Sequence, residues 1–237
     1  VRRLLENGAN SSFVNRFLDK KTPVEELLSD TRNEVMETFP YEHKMIPVPE
    51  LLFESANEPR KNSKGIDLDS PLETEDLLAV VQKKSSDLFT VHSLINGFSS
   101  GIALQDHFNP ADNNHLLGQY STVEEEDILQ AVESAYSAQP HWDLLGHLNR
   151  ADILDTVANS MEQETAEMIA IIASEAGRTL NDGLSEVREA IDFCRYYALQ
   201  SRQISQEQEA IYTGRGVFLC ISPWNFPLAI FTGQIAA

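Results

Sequence analysis

The chain has 237 residues, 42% of them hydrophobic and 23% charged, which is ordinary for a globular protein and excludes a disordered or membrane-embedded one. Its net charge of −19 is uneven, because after Ser85 six arginines and no lysine face 21 acids; such a surface repels phosphate backbones and excludes nucleic acid as a partner of this segment. Two cysteines without CxxC spacing exclude a disulfide framework, and six histidines without ligand spacing argue against a metal site.

Val1 to Asn7 reads as the middle of an amphipathic helix with no N-cap before it, and Ile221 to Ala237 ends in an apolar helix pattern with no C-cap. Both ends are therefore expected to be interior points of a longer polypeptide. Residues 1–18 form a short helical piece broken at Gly8, too small to fold alone. From Asp19 to 72 the chain holds six of its ten prolines and the polar tract NEPRKNSKGIDLDSP, which reads as a linker with little to bury and short helices such as VEELLSD. No run approaches the ~20 apolar residues of a membrane span, and no charged-then-apolar amino terminus resembles a signal peptide, so a cytoplasmic setting is expected.

A second unit runs over 73–237. Thr90 to Ile95 and Phe98 to Leu104 read as extended segments joined by a tight turn at Asn96-Gly97, and Asn109-Pro110-Ala111-Asp112 as another turn. Thr122 with Glu125 reads as a capping box, opening a helix with Ile128, Val132, Ala135 and Tyr136 on one face. A long second helix is expected from Asn149 or Asp152, ending at Gly177 as a C′ glycine. The third starts near Asn181, with Leu184, Val187, Ile191, Cys194 and Ala198 on one stripe.

Gly216 to Ile221 is a continuous apolar run bounded by glycine and proline, the pattern of a parallel strand covered on both faces. Pro223 ends it, and Pro227 suits the first turn of a following helix. Strand, turn and helix in that order open a doubly wound nucleotide-binding sheet, whose ligands lie beyond the strand ends near helix N-termini. In the turn, an Asn225 side-chain NH2 can donate to an oxygen gaining negative charge, or can serve as a helix N-cap; Trp224 can be a packed aromatic. Cys194 and Cys220 read as buried structural thiols.

The turn ISPWNFP, placed after GVFLC and before LAIFTGQIAA, resembles the aldehyde dehydrogenase superfamily. So do EAGRTLNDGLSEVREAIDFCRYYA and NPADNNHLLGQYSTV. The resemblance implies that Ile221, Ser222, Pro223 and Trp224 line the nicotinamide end of an NAD site, that Asn225 is the oxyanion donor, and that Glu189 stands near the aldehyde entrance unless it is only solvated. The family's nucleophilic cysteine and catalytic glutamate are expected after Ala237.

VRRLLENGANSSFVNRF resembles the C-terminal helix of proline dehydrogenase, the end of a flavin-binding (β/α)8 barrel. There Arg2 and Arg3 would grip the substrate carboxylate with planar guanidinium forks, and Glu6 would lie near FAD, or simply pair with an arginine. This order, linker included, resembles the bacterial bifunctional family of proline utilization A. The resemblance implies oxidation of L-proline to pyrroline-5-carboxylate with FAD and of glutamate semialdehyde to glutamate with NAD, in a homo-oligomer. The fold class expected is an α/β fragment, mainly helical, joining a barrel end to the start of an NAD-binding domain. A piece of a monofunctional aldehyde dehydrogenase and a non-catalytic helical interaction module are the alternatives.

Overall fold

The computed structural model describes residues 17–24, 31–37, 46–53, 58–101, 103–206 and 212–237. It divides into two compact units, Val1–Pro47 and Val48–Ala237. The described part of the first unit includes the short helix α1 (Thr31–Met36).

After a 3-10 turn at Pro49–Leu51, helix α2 (Pro71–Lys84) leads into five strands: β1 (Phe89–Val91), β2 (Ser93–Ile95), β3 (Phe98–Ser100), β4 (Ala103–Asn109) and β5 (Asp112–Thr122). β2 and β3 form an antiparallel hairpin at the expected turn, where Asn96 (φ +54) and Gly97 (φ +80) both adopt the required positive φ, but each expected segment is split, Thr90–Ile95 between β1 and β2 and Phe98–Leu104 between β3 and β4. The turn at Asn109 also forms as read, closed by its Oδ1 accepting from the Ala111 N–H at 2.8 Å. A three-stranded sheet has the order β1-β5-β4, with β1 parallel and β4 antiparallel to the central strand. Ser121 Oγ ties the hairpin to this sheet, donating to the Ser100 carbonyl at 2.9 Å and accepting from the Ser93 N–H at 3.3 Å.

Gly118 pairs with Phe89, and a Cβ built there would lie 2.1 Å from the Phe89 carbonyl oxygen. Backbone cannot yield as a flexible side chain can. Gly118→Ala is therefore expected to push β1 off β5 and cost about 1–3 kcal/mol, the usual range for overpacking. Urea unfolding would read the loss, and amide exchange of Thr90 and Val91 would localise it.

Four helices follow, α3 (Glu125–Leu144), α4 (His147–Gln163), α5 (Thr165–Ala176) and α6 (Leu180–Gln206), and the chain ends on α7 (Ala229–Ala236). The stripe of α6 is buried as its period requires: Leu184, Val187, Ile191 and Cys194 meet Leu77 of α2, Ala158 of α4, and Ile169 and Ile172 of α5 in one cluster. Gly177 ends α5 in the left-handed conformation (φ +62), as a C′ glycine does.

Other details differ from the sequence reading. The capping box at α3 is formed by Glu124 and Asp127, because Thr122 is consumed in the ladder opposite Ala103. The expected inward face of α3 is open, with Ile128, Val132 and Tyr136 all exposed. The long second helix is two helices, broken at Glu164 (φ −98°, ψ 15°), where Thr165 Oγ1 donates to the Glu162 carbonyl at 2.9 Å. Asn149 and Asp152 lie inside α4, not at its start.

The 216–221 run carries no strand ladder, and Phe218, Leu219 and Ile221 stand in solvent, Leu219 at 86% exposure. A strand exists only through the hydrogen bonds of a neighbour, and none of the described strands lies beside this run. Pro227 precedes α7 by two residues, outside its first turn. The polar tract read as having little to bury packs instead: Asn62 and Ser63 are buried, and Ile66 and Leu68 pack against the core cluster.

Candidate functional site

The turn at 222–228 is built by its surroundings more than by itself. Its one internal backbone bond runs from the Phe226 N–H to the Pro223 carbonyl at 3.3 Å. Two side chains from the helical layer hold it. Where Gly177 turns the chain out of α5, Arg178 Nη1 donates to the backbone carbonyl of Asn225 at 3.0 Å, and its guanidinium lies 5.3 Å from the Phe226 ring centroid. Arg178 Nε is buried and makes no hydrogen bond among the described residues.

Glu186, on α6 and only 2% exposed, accepts with one carboxylate oxygen from the N–H groups of Leu228 (3.3 Å) and Ala229 (3.0 Å). A carboxylate at the start of α7 satisfies two donors that the helix leaves free and complements its dipole. This corrects the expectation that the helix offers open N–H groups to a ligand, because the anion position there is already filled from within the protein.

Asn225 is half-buried and sits three residues before the N-cap position, Leu228. It is therefore no N-cap, and its side-chain amide has no partner among the described residues. Trp224 is 87% exposed, which overturns the packed-aromatic alternative. Ile221 and Pro223 are also exposed and Ser222 half-buried, while Gln234 Nε2 donates to the Ile221 carbonyl at 3.1 Å. Glu189 lies on the solvent side of α6, away from the stripe. Arg2, Arg3 and Glu6 lie outside the described residues.

Neither cysteine is set up as a nucleophile. Cys194 is fully buried in the core, and burial, with Asp155 adding and Arg195 opposing, pushes its thiol above the usual cysteine range. Cys220, half-buried rather than buried as read, lines a groove of about 750 Å³ with Gln139, Trp142, Phe218 and Ile235, and Asn225 does not border it. Among the described residues no cluster of His, Cys, Asp or Glu can hold a metal ion. No helix of the described residues is long and apolar enough to cross a membrane.

The sequence reading missed Arg178 and Glu186. A signal for Glu186 existed: at helical spacing it falls between the small residues Gly183 and Ala190, one step round α6 from the main stripe, and all three are buried. Arg178 carried none, because its partner lies 47 residues away.

A helical layer that pins an apolar-run, turn and helix unit against its longest member defines a class. The chain belongs to the aldehyde dehydrogenase family, whose profile matches residues 99–237. It is similar to the bifunctional protein PutA of Klebsiella aerogenes, at 37% identity over 243 residues, covering all of this chain and 18% of that protein. A 1-pyrroline-5-carboxylate dehydrogenase of Staphylococcus epidermidis is 30% identical over 193 residues, covering 76% of this chain and 37% of that one. Among solved structures, proline utilization A from Bdellovibrio bacteriovorus, inactivated by N-propargylglycine, superimposes with a TM-score of 0.73 at 28% identity, over 99% of this chain and 25% of its own. The chain thus spans less than a fifth of the length of the bifunctional relatives it matches.

Proposed function

We propose that this chain is a segment of a bifunctional proline-catabolic enzyme that oxidises L-proline to pyrroline-5-carboxylate with FAD, then oxidises glutamate semialdehyde to glutamate with NAD. In this reading residues 1–18 end the proline dehydrogenase domain, 19–72 connect, and 73–237 begin the aldehyde dehydrogenase domain. The observation that carries it is the Asn225 amide: uncommitted, half-buried, and set on a turn whose backbone Arg178 and Glu186 hold.

When a nucleophile adds to an aldehyde, the carbonyl oxygen takes up negative charge. A neutral amide donor stabilises that charge more in the transition state than in the ground state, and it has no proton to lose at neutral pH. Preorganisation matters here, since a donor held in place needs no reorganisation as the charge develops.

The open apolar surface of Ile221, Pro223 and Trp224, with the Ser222 hydroxyl beside it, fits the flat face of a nicotinamide ring. These four residues would hold the ring. NAD, when bound, supplies the hydride acceptor. Glu189 would meet the incoming aldehyde. At the other site Arg2 and Arg3 would clamp the proline carboxylate, with Glu6 near the flavin.

The test is NADH formation from glutamate semialdehyde and NAD. The full-length protein is expected to produce it. The 237 residues alone are expected to produce none, because Cys194 is buried and protonated and Cys220 borders a groove apart from Asn225. NADH from the 237 residues alone, or none from the full-length protein, overturns the reading.

A further inference from the structure

We propose that Arg178 and Glu186 are the positioning residues of Asn225: they touch neither substrate nor cofactor, and they set where the oxyanion donor stands. This inference rests on the proposed role of Asn225. Apart from the packing of Leu228 against the core cluster, the turn has little else to define it. The 216–221 run before it has no ladder, its single internal backbone bond is 3.3 Å long, and Trp224 and Pro227 are exposed.

The two clamps bracket the segment. Arg178 holds the carbonyl of Asn225 itself, and Glu186 holds the N–H groups three and four residues later. Glu186 comes from a helix, and Arg178 from the short connection between α5 and α6. Glu186 stands beside Val187 in the buried row of α6, and Arg178 directly follows the Gly177 cap of α5. The guanidinium is steadied by the Phe226 ring, a member of the turn it grips. Neither clamp engages the Asn225 side chain, so the amide remains available while the backbone that carries it is fixed from two sides. A donor displaced by about 1 Å can lose up to ~10²-fold in rate, so the clamps control the rate through geometry alone.

The test is a double-mutant cycle in the full-length enzyme, read as kcat, aldehyde KM and melting temperature. Arg178→Gln is expected to lower kcat about tenfold with KM nearly unchanged. In an Asn225→Ala background it is expected to lower kcat by less than about twofold, because the donor it positions is gone. Arg178→Lys keeps one donor for the Asn225 carbonyl and is expected to recover part of the rate. Glu186→Gln keeps an acceptor oxygen and is expected to cost less than Arg178→Gln.

Should Arg178→Gln fail to fold, Arg178→Lys carries the same cycle with the same expected non-additivity. Losses that multiply fully in the double variant would show that Arg178 acts independently of Asn225 and overturn the proposal, while leaving the role of Asn225 intact. An Asn225→Ala enzyme with full kcat would instead remove the reading on which the proposal rests.

Discussion

Asn225→Ala in the full-length enzyme is expected to lower kcat by about 10²–10³-fold, the loss of about 2.7–4 kcal/mol typical of removing one oxyanion donor. The aldehyde KM should change little, because the ground-state carbonyl carries much less charge than the transition state. The fold should survive the change. Arg178 bonds the backbone carbonyl of residue 225, which alanine keeps, and Glu186 caps α7 through backbone N–H groups that are untouched.

Two further substitutions sharpen the reading. Asn225→Asp replaces the donor with a negative oxygen facing a developing negative charge, so it should be at least as slow as the alanine variant. Asn225→Gln keeps the donor one methylene further out, where misplacement costs rate even though the chemistry is conserved. Steady-state kinetics with melting temperatures as a folding control decide the matter. An alanine variant within about twofold of the parent rate would remove Asn225 from the chemistry.

The largest stability effect is expected at Arg195. Buried on α6, it donates to the Asn62 carbonyl at 3.1 Å, to Asn159 Oδ1 at 3.3 Å and to Glu162 Oε2 at 2.5 Å. Glu162 in turn accepts from the Lys64 N–H at 2.7 Å. One turn away, Asp192 accepts from both the N–H and the hydroxyl of Ser63, at 2.7 and 2.9 Å. This set of polar contacts fastens residues 62–64 to α4 and α6.

Arg195→Leu would strand the Glu162 carboxylate and free the Asn62 carbonyl. The expected loss is about 3 kcal/mol, at the lower end of the range for broken buried pairs, since Glu162 keeps 24% of its side-chain surface in water. Urea unfolding measures the total, and amide exchange at Lys64 reports the detached segment. A loss under about 1 kcal/mol would mean that the pair is worth no more than a surface contact.

The same pair sets a pH dependence. Burial by itself would raise the Glu162 carboxyl, but hydrogen bonds from Arg195 and the Lys64 N–H, with the charges of Arg195 and Lys61, outweigh it and hold the group below the usual glutamate range. The folded state therefore favours the ionised form. Its stabilisation is complete above the ordinary glutamate value of ~4.3 and is lost as the pH falls through the lower folded value. Arg195→Leu should flatten that part of the acid limb.

The α6 stripe, the Asn96-Gly97 hairpin and the Gly177 cap were legible in the sequence because each rests on contacts a few residues apart. Helical period, positive φ and a left-handed cap are local properties, and no distant partner is needed to express them. The ISPWNFP turn was legible as well, as a family resemblance in which the residue types themselves carry the signal. The break at Glu164 was hidden because the apolar period runs straight through it.

Other features required tertiary structure. Gly216 to Ile221 has strand composition but no ladder, since a strand is completed by its neighbour and not by its own residues. Asn62 and Ser63 look like solvated linker, yet they are buried because Arg195 and Asp192 wait for them on a helix about 130 residues later. For the same reason the turn could be found from its own letters, while the contact of Arg178 with the Asn225 carbonyl, 47 residues away, could not. Local backbone preference is written along the chain; the partners of buried charges are chosen only when distant segments meet, because an ion or amide out of water must be satisfied by whatever the fold brings to it.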